Sequence, residues 1–170
     1  NLLAGRAHTY HMLPLTAMEL GDEYSLAKSL QYGQLPMSYT GDSPRQYLLS
    51  YVKTYLQEEI QQEGFTRNVA AFARFLEIAS FSQGSTLNMS EIAREAAVNQ
   101  KMVTEYFNIL EDLLIGYRLP IFTRRSKRRL IMHPKFYYFD AGVYRVLRPS
   151  GPLDTPTELD GAGLETLFLQ

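Results

Sequence analysis

Between Arg118 and Arg148 nine basic side chains stand against a single acid, Asp140, and five of the nine crowd into the hexapeptide "RRSKRR": Arg124, Arg125, Lys127, Arg128 and Arg129. Cations at that density suit phosphate, because each one laid against a nucleic-acid backbone releases condensed counterions. Just upstream, Gln100, Lys101, Thr104, Glu105 and Asn108 fall on one face if residues 100–112 are helical. Gln, Lys, Thr and Asn exchange hydrogen bonds with base edges. The same face continues into Glu111 and Asp112, so it sums to one cation against three anions, and anions beside phosphates subtract from affinity. Two readings stand side by side: the module contacts double-stranded DNA, through its basic tip more than through its helix, or it packs against neighbouring segments and the charge run is a solvated loop.

Other chemistry-bearing residues are scattered. His8 and His11 are three apart on a β-like run and so face opposite ways, and His133 is remote, which is not a converging metal site. Glu165 stands beside Gly161, Ala162 and Gly163 at what reads as the first turn of a last helix, where a carboxylate complements the helix dipole. A carboxylate metal site needs further acids, and none follows it. Arg6, in "LAGR", sits at a helix-to-strand junction, ordinarily a solvated position. Zero cysteines exclude disulfides, thiolate zinc sites and cysteine nucleophiles. No G-x-x-x-x-G-K-[ST] and no G-x-S-x-G occurs. Net charge is −1, so the chain as a whole makes no electrostatic case for nucleic acid. No run of eighteen apolar residues spans a membrane and no signal core opens the chain, which makes the cytoplasm the expected location.

The elements that must position these residues read as mainly α with a small β component. "AHTYHMLPL" has the pattern of a strand stopped by proline, and a short helix is expected over 25–32, broken at "YGQLP". Ser43 and Pro44 are an N-cap and first position for a helix whose stripe is Tyr47, Leu48, Tyr51, Val52, Tyr55, Leu56 and Ile60, ended by Gly64. A second helix is expected over 66–83 with Val69, Phe72, Ala73, Leu76 and Ala79 inward and Gly84 as its stop. Asn88 and Glu91 form a capping box for a helix burying Ile92, Ala93 and Ala96. Asn99 caps the next, which turns Val103, Tyr106, Phe107, Leu110, Leu113 and Leu114 inward and is closed by Gly116. Two β-like runs, "YRLPIFT" and "RLIMHPKFYYFD", flank the basic tip, so helix, turn, helix and hairpin add up to a winged helix-turn-helix. "AGVYRVL" reads as a short helix, "RPSGPLDTPTELDGAG" as a Pro/Gly/acid loop, and "LETLFLQ" as the start of an amphipathic helix.

Taken in order, "LLAGRAHTYHMLPLTAMEL", "YGQLP", "YVKTYLQEEI", the run from "FARFLEIAS" to "LIGYRLPIF" and "HPKFYYFDAGVYRVL...GAGLETLFLQ" resemble the rear part of a family of prokaryotic AAA+-type ATP-binding proteins. In that family a C-terminal domain of unknown function joins a winged helix to a restriction-endonuclease-like fold. The resemblance implies that 1–24 end an AAA+ ATPase core with its last strand, 25–85 form a helical lid or linker, 86–140 the winged helix-turn-helix, and 141–170 the start of a truncated nuclease-like domain. It places Arg6 where such proteins keep an arginine finger for a neighbour's γ-phosphate, and Glu165 at the first carboxylate of a nuclease-type magnesium site. ATP and Mg would be cofactors of the longer parent, with oligomerisation through its ATPase core. A fragment without the Walker motifs is expected to bind neither and to be inactive. The alternative is a stand-alone winged-helix DNA-binding transcriptional regulator.

Overall fold

The computed structural model of the chain describes residues 12–56, 60, 68–120, 133–151 and 155–169. The described part is mainly helical with one small antiparallel sheet. The strand expected over 7–15 lies mostly outside the described residues. Its described end pairs with no strand among the described residues, and Leu15 N–H donates to the Gln34 carbonyl at 2.8 Å. Thr16 and Glu19 then form a reciprocal capping box that opens α1 (Ala17–Leu20). Three further short helices follow: α2 (Leu26–Tyr32), capped by Ser25, α3 (Pro36–Thr40) and α4 (Pro44–Ser50), the last two each starting on a proline whose missing N–H a helix start does not need. The expected long helix after Pro44 does not stay α-helical, because residues Tyr51–Leu56 widen into a π turn.

α5 (Val69–Ser80) is capped by Asn68, which accepts from Ala71 N–H at 3.0 Å. It buries Ala71, Phe72, Phe75, Leu76 and Ala79, so the expected inner face is rotated slightly, with Ala71 and Phe75 in place of Val69 and Ala73. α6 (Met89–Glu95) is capped by Asn88, whose Oδ1 accepts from Glu91 N–H at 3.2 Å. The Glu91 carboxylate answers to the Asn88 side-chain amide at 3.1 Å rather than to its backbone. α7 (Gln100–Asp112) is capped by Asn99 and buries Val103, Tyr106, Phe107, Ile109 and Leu110.

Gly116 does not close α7. Leu114 does, in the left-handed region at φ 58°, with Ile115 N–H reaching back to the Leu110 carbonyl at 2.8 Å. Leu114 is accordingly exposed, not inward. Gly116 instead opens β1 (Gly116–Leu119), where a Cβ would lie 2.8 Å from the Phe136 ring, so the strand needs glycine for close approach rather than for a turn. β1 pairs antiparallel with β2 (Lys135–Tyr138) in the register Gly116 with Tyr138 through Leu119 with Lys135. Along the other edge of β2 runs the segment 83–87: Gly84 N–H donates to Phe136 O at 2.8 Å, Phe136 N–H to Ser85 O at 3.2 Å, and Leu87 N–H to Pro134 O at 3.0 Å.

α8 (Ala141–Leu147) follows directly, and α9 (Pro156–Leu169) ends the described chain. The second half of the Pro/Gly/acid run expected as a loop, residues 156–163, is thus helix. Its start signal was hidden in "TPTE": Thr155 Oγ1 accepts from Glu158 N–H and the Glu158 carboxylate from Thr155 N–H, both at 3.4 Å. One hydrophobic cluster, from Leu48 to Leu147, runs through α4, α5, α6, α7, β2 and α8. Its centre is a chain of rings, Phe72, Tyr106, Phe75, Phe107, Phe136 and Tyr138. Successive centroids lie 4.9–5.2 Å apart and mostly edge to face, the arrangement the ring quadrupole favours.

Candidate nucleic-acid interface

The turn between α6 and α7 decides how α7 is presented. Val98 N–H reaches back to the Ala93 carbonyl at 3.0 Å while Ala97 takes a positive φ of 54°, so four residues suffice to reverse the chain. The apolar face of α7 then drops onto the aromatic core, and Gln100, Lys101, Thr104, Glu105 and Asn108 all lie exposed, as their spacing required.

On that face almost every group already has a partner. The Gln100 amide donates to Ser90 Oγ, the Thr104 hydroxyl to the Gln100 carbonyl at 3.1 Å, and Lys101 pairs with Glu105 at 4.0 Å. Further along, Arg118 reaches back from β1. Its Nε donates to Glu111 Oε1 at 3.0 Å, its Nη2 to Glu111 Oε2 and to Asn108 Oδ1, the latter at 2.6 Å, and its own N–H to Glu111 Oε1 at 2.9 Å. This fork holds the Glu111 carboxyl below its usual range. With Arg118 folded back onto it, the face carries two cations against three anions: Glu105 and Glu111 are each paired, and Asp112 has no ion pair among the described residues. α7 is close to neutral, and its one cation, Lys101, already stands beside Glu105.

The rest of the basic stretch divides in the same way. Lys135 lies 3.7 Å from Glu165, Arg145 donates to the Leu30 carbonyl at 2.7 Å and pairs with Asp160, and Arg148 stacks on the Phe81 ring at 3.9 Å. With Arg118, four of the nine cations are engaged in the described fold. The other five, Arg124, Arg125, Lys127, Arg128 and Arg129, lie outside the described residues, as does Arg6. In the sequence the five stand between β1 and β2.

Glu165 is not on a first turn. It stands nine residues after Pro156 within α9, so a helix-start dipole does not act on it. Tyr137 Oη donates to its Oε2 at 2.6 Å and Lys135 approaches the same oxygen. Burial, helped by this carboxylate, pushes the Tyr137 phenol up to about 12. The residues brought to Glu165 are thus a phenol and an ammonium, donors rather than fellow carboxylates. Beside it Gln83 donates to Thr166 Oγ1 at 2.5 Å and accepts from Tyr138 N–H at 2.8 Å, which docks α9 on the sheet through a buried amide.

The residue that sequence reasoning passed over is Asp140, noted only as the lone acid of a basic stretch. It is fully buried, and it caps α8 by accepting from Gly142 and Val143 N–H, both at 2.9 Å. Its other oxygen accepts from Gln34 N–H at 2.7 Å, and Leu35 N–H adds to the set. Burial pushes its carboxyl up to about 6 against the pull of these donors. Gly33, at φ 69°, gives the carboxylate room: a Cβ there would sit 2.0 Å from Asp140 Oδ1. The sequence signal was an aspartate three residues before a helix-compatible valine, in "DAGV".

These features define a mainly helical protein in which a helix, turn, helix and antiparallel pair are tied into a preceding helical segment by a buried carboxylate. Residues 23–154 match the family described as "Domain of unknown function (DUF8612)", and the chain belongs to that family. Neither the curated proteins nor the solved structures compared with it gave a match. Among the described residues no helix is long and apolar enough to cross a membrane.

Proposed function

We propose that this chain is the connecting part of an AAA+-type ATP-binding protein, in which a helical segment and a winged helix couple an ATPase core to a nuclease-like domain, with the basic wing resting on duplex DNA. The order α5, extended segment 83–87, α6, α7, β1, β2 supports a winged helix-turn-helix reading, with β1 and β2 paired antiparallel before and after the sequence that carries the basic hexapeptide. The observation that carries the DNA reading is the division of charge. Arg118, Lys135, Arg145 and Arg148 are engaged with partners among the described residues, so the DNA reading rests on the density of cations from Arg124 to Arg129 in the sequence. A wing of that charge grips phosphates and a near-neutral α7 adds little base reading, so binding is strong at low salt and weakly selective. In the longer protein ATP and Mg belong to the core, and Arg6 serves as its arginine finger.

Fluorescence anisotropy with several duplexes of unrelated sequence at low salt tests the DNA arm. Replacing Arg124, Arg125, Arg128 and Arg129 with alanine weakens all of them alike, whereas unchanged affinity removes the wing from the account. Gln100→Ala and Thr104→Ala leave the ranking of duplexes unaltered, and a changed ranking would make α7 a base reader. Tests of the coupling arm use the longer protein, where duplex DNA raises ATP hydrolysis and the wing substitutions abolish the increase.

A further inference from the structure

A buried carboxylate that the DNA reading does not use stands where two distant stretches of chain meet. The two oxygens of Asp140 do separate work. Oδ1 accepts from Gly142 and Val143 N–H and so caps its own helix, α8. Oδ2 accepts from Gln34 N–H at 2.7 Å, across 106 positions of sequence, and so ties the turn between α2 and α3 to α8. The backbones touch at this point, since a Cβ on Gly142 would lie 2.3 Å from the Tyr32 carbonyl oxygen.

No cation balances the charge of Asp140, which takes part in no ion pair among the described residues. The charged groups on the surrounding elements are engaged elsewhere or exposed. On α2, Lys28 lies over the Tyr39 ring at 4.5 Å, and on α8, Arg145 is taken up by the Leu30 carbonyl and Asp160 of α9. Lys135 of β2 pairs with Glu165 of α9, and the Tyr138 hydroxyl donates to the Leu76 carbonyl. Arg45 of α4, Lys53 of the π turn, and Arg74 and Glu77 of α5 are exposed. Burial first, and the Asp140 charge second, push the Tyr117 phenol of β1 up, so it stays neutral.

A charge sealed in without a counter-ion favours the protonated carboxyl, which still offers an acceptor oxygen to each stretch of chain. Burial pushes Asp140 up to about 6, against an ordinary 3.8 once the junction opens to water. The closed junction therefore holds the proton more tightly than the open one, and opening grows as pH rises between these values. We infer that the junction is a proton-controlled latch: mild acid closes the turn between α2 and α3 onto α8, and near neutral pH that turn opens locally while α5, α6 and α7 stay folded. The latch is independent of the DNA reading, since none of its residues belongs to α7 or to the wing.

Amide hydrogen exchange of the whole chain, followed from about pH 4 to pH 7 and corrected for the intrinsic exchange rate, tests it in the wild type. Opening at the Gln34 and Leu35 amides rises roughly 50-fold over that range, steeply up to about pH 6 and little beyond. At neutral pH these two amides are at least about tenfold less protected than those of Phe107 and Leu110 in α7. Asp140→Asn keeps a carbonyl oxygen for Gly142 and Val143 but turns an amide N–H toward Gln34, so exchange at Gln34 becomes fast and independent of pH. His133→Gln, a change at an exposed histidine, keeps the wild-type profile. Protection at Gln34 and Leu35 that is flat or rises with pH, or that equals the protection of Phe107 throughout, would overturn the latch. So would a pH profile that survives Asp140→Asn or disappears in His133→Gln. The wild-type profile decides even where Asp140→Asn does not fold.

Discussion

At the junction of α2 and α8 one carboxylate, Asp140, is fully buried and satisfied by four backbone N–H groups from two distant stretches of chain. On the outer face of α7 another, Glu111, keeps about a third of its side chain in water and is held by a single arginine from β1. Both are hydrogen-bonded carboxylates, but their burial assigns them different work. Removing the first strands donors that water cannot reach, while removing the second merely exposes groups that water can solvate. The junction around Asp140 is therefore where the fold is locked, and the α7 face is where charge can change without unfolding the protein.

The largest effect expected from this contrast is on Asp140→Ala. It leaves buried N–H groups of Gln34, Leu35, Gly142 and Val143 without acceptors and costs about 3–5 kcal/mol in denaturant unfolding. A loss below about 1 kcal/mol would mean that water enters the junction.

The same carboxyl should make stability depend on pH. Its folded value of about 6 lies above the ordinary 3.8, so the folded state holds the proton more tightly. The stability this contributes is complete below pH 4 and is lost as pH rises through 6, by about 3 kcal/mol at most. Asp140→Ala should lack that decline, and the gap between the two curves should be widest at the acidic end. A gap that instead widens toward neutral pH would show that the four donors outweigh burial.

Smaller effects are expected at the two left-handed residues that end α6 and α7. Ala97→Gly and Leu114→Gly each relieve a side chain at positive φ and should raise stability by roughly 1 kcal/mol. Tyr106→Phe should be close to neutral, because the buried Tyr106 hydroxyl has no hydrogen-bond partner among the described residues. On the α7 face, Glu111→Gln frees Arg118 from its ion pair and should strengthen duplex binding a few-fold with little change in melting temperature.

The sequence showed most where a rule is local. Asn88 and Asn99 as caps, the exposure of Gln100, Lys101 and Thr104, and the inward row from Val103 to Leu110 all follow from helical periodicity and side-chain reach. It showed least where the reason lies in another part of the chain. Gly116 reads as a helix stop but is small because Phe136 packs on it, and Gly33 reads as a break but makes room for Asp140, more than a hundred residues away. The helix over 156–163, expected as loop, was hidden for a different reason, since glycine and proline content outweighed the "TPTE" box that starts α9. Charge pairing was equally hidden: nothing in the spacing of Glu111 and Arg118 announces that a strand folds back to neutralise the helix before it.

We propose that the five basic residues from Arg124 to Arg129, and not α7, hold DNA, and the salt dependence of duplex binding tests this most directly. Each phosphate contact contributes a slope of about −0.9 to the plot of log affinity against log salt. Replacing Arg124, Arg125, Arg128 and Arg129 with alanine should flatten that slope by several contacts' worth, while Lys101→Ala should leave it within one. An unchanged slope in the quadruple variant, or a flattening confined to Lys101→Ala, would contradict the account.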